Sequence, residues 1–125
     1  MSNKKIVYPK LPKKFKEKWL IALRGGKYKQ GIGCLCKNGA YCCIGIAGKV
    51  QGLSDDFLHA KGMFSSDWDF SNFNRIKRLI PNALLGTVYS NRLLNTLVDM
   101  NDGTGRFQGK RQSLKQIANW IEKNL

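Results

Sequence analysis

The sequence has little negative charge. Eight Asp and Glu residues stand against 22 Lys and Arg residues, so the formal net charge is +14 at pH 7. Such an excess attracts phosphates, nucleic acids and other anionic surfaces. The positive charge is concentrated towards the amino-terminal end, since residues 1–37 hold eleven Lys and Arg residues and Glu17 as the only acid. The composition therefore predicts an anionic partner.

Long apolar runs are also missing. No stretch approaches the roughly 18 apolar residues of a membrane-spanning helix, and no apolar segment follows Lys4 and Lys5 as in a secretory signal. The four cysteines lie close together, between Cys34 and Cys43, and are not spread along the chain like the framework of a secreted domain. We therefore expect a cytosolic protein with reduced thiols.

Histidine is scarce, and this bears on metal binding and catalysis. A structural zinc site takes ligands from well-separated C-x₂₋₄-C pairs, whereas residues 34–43 hold C-x-C and C-C on one predicted hairpin. A cysteine nucleophile needs a base, and nothing ties the single His59 to those cysteines. In residues 99–103 the glycine comes one position too early for a calcium loop, and no Walker motif surrounds Lys27. We expect no metal, no cofactor and no catalytic residue.

Helical periodicity is clearest in three segments. Between Pro12 and Arg24 the apolar spacing predicts an amphipathic helix, flanked by lysines and closed by Gly25 as a left-handed cap. Residues 91–100 carry a second apolar face. The last helix begins with a capping box at Ser113–Gln116. The apolar positions of the three helices are Phe15, Trp19, Ala22 and Leu23; Leu93, Leu94, Leu97 and Val98; Leu114, Ile117, Ala118, Ile121 and Leu125.

The cysteine-rich residues 34–43 predict a β-hairpin. Asn38-Gly39 is the strongest short signal for a two-residue turn, and it stands between two short apolar runs. The register set by this turn pairs Lys37 with Ala40, Cys36 with Tyr41, Leu35 with Cys42 and Cys34 with Cys43. The small apolar residues of Ile44–Leu53 then predict a short helix that ends at Gly52.

Together these elements predict one compact α+β domain over residues 1–125. It would contain three or four helices and a small antiparallel β-hairpin or sheet. The chain length suits a single domain of about 100–200 residues, and 42% hydrophobic residues are enough to build a core. Residues 1–10 are expected to form a flexible, basic lead.

Two glycine-rich loops carry the candidate binding residues. The first loop, Arg24–Gly33, reads RGGKYKQGIG, and the second loop, Gly103–Arg111, reads GTGRFQGKR and runs into the last helix. Glycines let backbone N–H groups turn towards an oxyanion, and a helix N-terminus also favours phosphate. The predicted ligand set is Arg24, Lys27, Lys29, Arg106, Lys110 and Arg111 for phosphates, Gln30 for a base or ribose edge, and Tyr28 or Tyr41 for stacking. The alternative is a pair of ordinary loops with solvated lysines.

Several blocks of the sequence follow a familiar pattern. They are Trp19–Gly31 (WLIALRGGKYKQG), Tyr41–Gly45 (YCCIG), Met100–Gly103 (MNDG) and Ile117–Ile121 (IANWI). In order and spacing they resemble a widespread group of small phage-encoded proteins with W-L-x-A-L-R-S-G-x-Y-x-Q-G, Y-C-C-L-G and L-N-D-x-G-x-S-F-x-x-I-A-x-x-I patterns. This chain differs from the pattern in having Gly25 at a usual serine and in inserting Gln108–Gln112.

The resemblance implies a viral gene product that acts in the cytoplasm of an infected bacterial host. Small phage proteins of this sort include anti-defence sponges, which bind cyclic or ADP-ribose-type immune nucleotides without cleaving them. The leading hypothesis is therefore a non-enzymatic protein that sequesters a phosphate-bearing nucleotide signal. A symmetric homodimer would help to enclose the ligand, although no residue pattern identifies a dimer surface.

Two other hypotheses remain open. The charge alone predicts a nucleic-acid-binding protein, for example one that masks DNA or RNA from a host enzyme. The lysines of Lys13–Lys18 would instead suit an inhibitor that docks on an acidic host protein. Nucleic-acid binding would weaken steeply with added salt, whereas the docking protein would bind neither nucleotide nor nucleic acid.

Overall fold

The computed structural model describes the chain over residues 10–32, 36–60 and 88–125. Within these ranges the elements are α1 (Lys13–Arg24), β1 (Lys29–Gln30), β2 (Cys36–Lys37), β3 (Ala40–Tyr41), α2 (Cys43–Val50), α3 (Asp55–Ala60), α4 (Val88–Asp102), a 3₁₀ turn (Gly105–Phe107) and α5 (Leu114–Asn124). Four of the described helices have eight or more residues, and α3 has six. The predicted α+β class is confirmed. Most of the predicted basic lead lies outside the described residues.

Helix α1 packs against α2 and α5 through one apolar face. Its buried residues repeat at the predicted spacing and are Phe15, Trp19 and Leu23. On its flank, the Lys16 ammonium donates hydrogen bonds to the carbonyl oxygens of Glu122 (3.2 Å) and Leu125 (2.8 Å). A cation is favourable there because the carbonyl groups at a helix C-terminus carry partial negative charge. The start of α1 thus holds the end of α5.

The chain leaves α1 through two glycines. The prediction that Gly25 is the left-handed residue is wrong, because Gly25 has a φ of −79° while Gly26 has a φ of +77°. A Cβ atom on Gly25 would lie 2.9 Å from the Ile21 carbonyl oxygen, so this position is closed to a side chain unless the backbone shifts. The left-handed turn follows one residue later than the sequence pattern indicates.

The β-hairpin forms at the predicted turn. Asn38 and Gly39 have φ angles of 53° and 78°, as a type I′ turn requires. The antiparallel pairs match the predicted register and are Cys36 with Tyr41 and Lys37 with Ala40. Strand β1 adds to the other edge of β3 in parallel, so the sheet is mixed, with the order β1-β3-β2. The Gly31 amide continues this pairing by donating to the Tyr41 carbonyl oxygen at 2.8 Å.

The predicted extension of the hairpin to Cys43 is wrong. Cys42 is the N-cap of α2, and its sulfur accepts a hydrogen bond from the Gly45 amide at 3.4 Å. Cys43 is the first residue of the helix and is completely buried. The predicted partners Cys34 and Leu35 lie outside the described residues. The helix that was expected from Ile44 therefore starts one residue earlier, directly after β3.

The last two helices complete the core. Helix α4 is longer than the predicted 91–100 segment, and Gly103 follows it with a φ of +74°. At the start of α5 the Gln116 amide donates to the Ser113 hydroxyl at 3.1 Å, and the Ser113 amide donates to the Gln116 side chain at 2.8 Å. The capping box is thus confirmed. No helix in the described part of the chain is long and apolar enough to cross a membrane.

All five helices of the described ranges contribute to one core. The largest buried side chains of the described residues are Trp19, Ile44, Ile46, Leu58, Leu93, Leu97, Met100 and Ile117. Strands β2 and β3 add one buried residue each, Cys36 and Tyr41. The sheet therefore lies with one face on the core, and the two glycine-rich loops leave from its edge and from the end of α4.

Candidate functional site

A buried asparagine joins the segments that carry the candidate binding residues. Asn101 has no exposed surface and makes four hydrogen bonds. Its Oδ1 accepts from Gln30 Nε2 and from the Cys43 amide, both at 3.1 Å. Its Nδ2 donates to the Gly31 carbonyl oxygen at 2.8 Å and to Asp102 Oδ1 at 2.9 Å. Both donors and both acceptor positions of the amide are occupied.

Sequence reasoning did not identify the role of Asn101. The pattern of residues 99–103 excludes a calcium loop but gives Asn101 no role of its own, whereas in the structure this residue lies on α4 one turn beyond Leu97. Leu93 and Leu97 are fully buried, so position 101 continues their face. A polar residue at helical spacing on an apolar face was the signal that could have identified it, because a buried amide needs partners.

Gln30 brings the two loops together. Its side-chain nitrogen donates to Asn101 Oδ1 at 3.1 Å and to the Gln112 carbonyl oxygen at 2.9 Å. Gln112 directly follows the second loop, and Gln30 belongs to the first loop, so this one amide spans both. The two loops are therefore neighbours at this contact. Both amide hydrogens of Gln30 are used, however, and none remains for a base or ribose.

The second loop is closed at its base. Gly103 has a φ of +74°, and a Cβ atom there would lie 3.2 Å from the amide nitrogen and the Cβ of Arg111. The Gly109 amide donates to the Gly103 carbonyl oxygen at 3.2 Å, and the Lys110 amide donates to the Phe107 carbonyl oxygen at 2.7 Å. Touching ends and internal bonds are the properties of a compact Ω-type loop. Its backbone is therefore held in place by its own hydrogen bonds.

Three cations lie on the outside of this loop. Arg106, Lys110 and Arg111 are exposed, and none of them forms an ion pair with a described residue. The Asp99 carboxylate lies against Gly105 and accepts a hydrogen bond from the Thr104 hydroxyl at 2.8 Å. The carboxylate thus fixes the start of the loop, while the cations face solvent.

Arg24 does not join these cations. Its Nη2 donates to Glu122 Oε1 at 2.6 Å and to Asn119 Oδ1 at 2.8 Å, which connects the end of α1 to α5. The guanidinium lowers the pKa of the Glu122 carboxyl group through this hydrogen bond and its positive charge. Arg24 is thereby bound to the fold, and Lys27 and Lys29 remain as the exposed cations of the first loop.

The two predicted stacking residues pack on each other. The rings of Tyr28 and Tyr41 are 5.3 Å apart and nearly perpendicular, and the Lys27 ammonium lies 5.5 Å from the centre of the Tyr28 ring. Tyr41 is buried, and its hydroxyl donates to the Asp55 carboxylate at 2.9 Å. Asp55 also binds the Lys49 ammonium at 2.9 Å. Tyr41 is therefore a structural residue, whereas Tyr28 is half-exposed.

The environment of Tyr41 gives a testable pH dependence. Burial disfavours the phenolate, and the Asp55 carboxylate both accepts the phenolic hydrogen and repels a negative oxygen, so the pKa of Tyr41 rises to about 12. In a titration followed by absorbance of the phenolates, we expect one of the four tyrosines to ionise about two units above the ordinary value near 10.

Two variants assign this titration step. Tyr41→Phe should remove the step at high pH, and Asp55→Asn should move it towards 10 because the negative neighbour is lost. Ionisation of every tyrosine in a single step near pH 10 would contradict the proposed burial and hydrogen bond. Circular dichroism at each pH shows whether the protein is still folded when the phenolate forms.

The outer face of the sheet carries two further cations. Lys29 and Lys37 lie on either side of Ala40 in the register of the three strands, and both are exposed. Neighbouring strands are about 4.8 Å apart, so the Cα atoms of the two lysines are separated by roughly 10 Å. Lys29 thus connects the first loop to a positive row on the sheet.

Comparison with known proteins gives a family. A family model described as "Domain of unknown function (DUF8296)" matches residues 11–125. This segment includes all five helices, the sheet and both loops. Neither a curated protein nor a solved structure shows significant similarity to the chain.

Proposed function

The chain belongs to the family described as a domain of unknown function, DUF8296, and from its own residues we propose that it binds a phosphate-bearing nucleotide and holds it without cleaving it. One observation carries this proposal. The side chain of Gln30 binds the Gln112 carbonyl oxygen at 2.9 Å and so places the cationic first and second loops side by side. A shared surface of this kind suits a compact, multiply charged anion.

The cations of this surface are available for a ligand. Within the described residues the ion pairs are Arg24 with Glu122 and Lys49 with Asp55, and neither involves a loop cation that faces solvent. Lys27, Lys29, Arg106, Lys110 and Arg111 are all exposed. Ammonium and guanidinium groups form their strongest hydrogen bonds with phosphate oxygens. An ordered loop also loses little entropy when it binds.

The environment of Cys43 favours binding without cleavage. This cysteine lies near the two loops, because its amide is bound to the same asparagine as Gln30. Cys43 is completely buried, its thiol donates to the Leu97 carbonyl oxygen at 3.6 Å, and burial raises its pKa well above the ordinary value. A nucleophilic cysteine needs a stabilised thiolate and access to substrate. Cys43 has neither, so its role is in the fold.

The setting of this activity follows from the resemblance of the sequence blocks to small phage proteins. A phage protein that sequesters an immune nucleotide in the host cytoplasm would lower the free concentration of the signal. Such a protein needs a defined stoichiometry and a slow release, but no turnover. The positive surface and the ordered second loop are compatible with this role.

The proposal is tested by calorimetric titration of the protein with cyclic dinucleotides and ADP-ribose derivatives. We expect at least one of them to bind at a fixed small stoichiometry and to raise the melting temperature. Combined substitution of Arg106, Lys110 and Arg111 by alanine should weaken this binding about 100-fold, because three charge-assisted contacts are lost from an exposed site. Absence of binding across the panel would refute the proposal.

A matched control removes the same charge elsewhere. Lys13, Lys14 and Lys18 are exposed on α1 and are not part of either loop. Their combined substitution by alanine changes the net charge equally and should alter nucleotide affinity by less than about threefold, since distant exposed charges are screened by salt. Equal losses in both triple variants would show attraction by net charge instead of a site.

A second candidate function is nucleic-acid binding, and the positions of the exposed lysines support it. Lys29 and Lys37 lie in a row on the sheet, and α1 presents three exposed lysines of its own. Cations spread over open faces suit a long phosphate backbone. The affinity for duplex DNA or RNA should then fall with a log–log salt slope of about 0.9 per phosphate contact, and the α1 triple variant should reduce that slope.

A further inference from the structure

The polar side chains of the candidate set that were expected to contact a base or its ribose are engaged by the fold. Gln30 donates both amide hydrogens, to Asn101 and to the Gln112 carbonyl oxygen. The Tyr41 hydroxyl is bound to Asp55 beneath the surface, and the Arg24 guanidinium is bound to α5. Specific recognition of a base requires unpaired donors and acceptors that match its edge. Gln30 has no amide hydrogen left to donate, and the Tyr41 hydroxyl and Arg24 Nη2 are held by acidic partners, so these three residues are poorly suited to this task.

Tyr28 is the remaining aromatic residue of the candidate set, and its ring is partly covered. The Lys27 ammonium lies over the ring at 5.5 Å from its centre, and the Tyr41 ring packs against it at 5.3 Å. A base that stacked on Tyr28 would have to displace Lys27 and its cation–π contact. The first loop therefore presents a cation where an open stacking face was expected.

The candidate side chains that remain exposed are the cations of the two loops, and these suit phosphate groups. From the used polar groups, the covered Tyr28 ring and the exposed cations of both loops, we infer that the ligand is recognised by neighbouring phosphate groups and not by its base. The inference rests on the function proposed above and specifies its ligand class, namely small molecules with two or more linked phosphates. Inorganic pyrophosphate belongs to this class and carries no base at all.

The arrangement of the second loop supports this class of ligand. Arg106 and Arg111 lie in a loop whose ends are fixed by the Gly103 contact, and guanidinium groups bind phosphate oxygens in a bidentate manner. Lys110 lies between them in sequence and adds a compact charge. Linked phosphates present several oxygens within a few ångströms, so one ligand can engage more than one of these cations. A single phosphate presents fewer oxygens over a shorter span, and a nucleoside carries no phosphate at all.

The test uses inorganic pyrophosphate, adenosine, AMP and the diphosphates of adenosine, cytidine, guanosine and uridine as probes. In calorimetric titrations at fixed ionic strength, pyrophosphate should bind and displace ADP. AMP should bind about tenfold more weakly than ADP, because about one charge-assisted contact is lost. Adenosine should give no heat. The four diphosphates should agree within about threefold, whereas a base-reading site would separate them by about 100-fold or more.

Variants provide a second, independent measurement. Lys110→Gln should weaken ADP and pyrophosphate by the same factor, about tenfold, while Lys123→Gln, an exposed lysine on the last turn of α5, should weaken neither. Tyr28→Leu should also change both affinities by one common factor. A loss for ADP alone would show that the base stacks on this ring and would overturn the inference.

The remaining outcomes separate the two proposals. If nucleotides bind but pyrophosphate does not displace them, the base or ribose is recognised, and the inference is wrong while the proposed function stands. The same conclusion follows if one diphosphate is strongly preferred over the other three. If none of these probes binds but a cyclic dinucleotide or an ADP-ribose derivative does, the inference is wrong and the proposed function stands. If neither these probes nor that panel binds, the proposed function fails, and the inference fails with it.

Discussion

Asn101→Ala is expected to lower the free energy of unfolding by about 3–5 kcal/mol, because it leaves several buried groups without partners. The Cys43 amide, the Gly31 carbonyl oxygen and the Gln30 side chain each lose a hydrogen bond of 2.8–3.1 Å. An unsatisfied buried group costs about 1–3 kcal/mol. A domain of this size has a total stability of about 5–15 kcal/mol, so urea denaturation followed by circular dichroism will resolve the change.

Two variants show whether the hydrogen bonds are responsible. Asn119→Ala removes an exposed asparagine whose side chain accepts one bond from Arg24, and it should cost less than about 1 kcal/mol. Asn101→Asp keeps the shape but replaces two donors by an acceptor facing Gly31 and Asp102. Burial and the Asp102 carboxylate should raise the pKa of the new carboxyl group, so this variant should be less impaired at pH 4 than at pH 7.

A similar loss from Asn101→Ala and Asn119→Ala would contradict the central role of Asn101. If the alanine variant does not fold, the pH dependence of Asn101→Asp still tests the same contacts. If Asn101→Asp loses the same stability relative to the native protein at pH 4 and at pH 7, the hydrogen bonds that Asn101 Nδ2 donates are not essential.

The second large effect is expected at Trp19. This side chain has no exposed surface, its indole nitrogen donates to the Cys43 carbonyl oxygen at 3.0 Å, and its ring packs 5.4 Å from Phe15. Trp19→Ala should lower the free energy of unfolding by about 3–5 kcal/mol through lost contacts and a cavity. Trp19→Phe should cost about 2–3 kcal/mol, because it retains an aromatic ring but leaves a buried carbonyl oxygen unpaired.

Ile21→Ala is the control on the same helix. Ile21 is 71% exposed, so its replacement by alanine should change the free energy of unfolding by less than about 0.5 kcal/mol. The higher helix propensity of alanine offsets part of any loss. Circular dichroism is the appropriate signal, since substitution of one of the three tryptophans alters fluorescence directly. Equal stability of Trp19→Phe and the native protein would show that the indole hydrogen bond contributes nothing.

Elements with strong local signals were predicted well. The stripe of Phe15, Trp19 and Leu23 placed α1 correctly, and the capping box fixed the start of α5. Asn38-Gly39 set the register of the hairpin as far as Tyr41. In each case the deciding interactions lie within a few residues of each other in sequence, which is why the pattern is sufficient.

Elements decided by distant contacts were not predictable in the same way. Cys43 belongs to a helix and not to the hairpin, and its amide is held by Asn101, which is 58 residues away. Strand β1 has only two residues. It forms because β3, which belongs to the hairpin, offers it an open edge. A two-residue strand has no periodicity, so the sequence alone gives no sign of it.

The candidate site also contains residues that the local sequence predicts and residues that distant contacts decide. Exposure of Arg106, Lys110 and Arg111 follows from their place in a glycine-rich loop. Arg24 has its acidic partner 98 residues away, and Gln30 has its asparagine partner 71 residues away, so sequence reasoning assigned both to a ligand. Residues that look free in a sequence are used for the fold when a distant partner reaches them.

The closed base of the second loop also affects how the protein can vary. Since Gly103 and Arg111 lie against each other, the seven residues between them form a detour that can be exchanged or lengthened while α4 and α5 keep their places. Lengthening such a detour costs little, because loop entropy grows only with the logarithm of length. This exposed cationic segment is thus a replaceable cassette, which can change in length and charge on an unchanged scaffold.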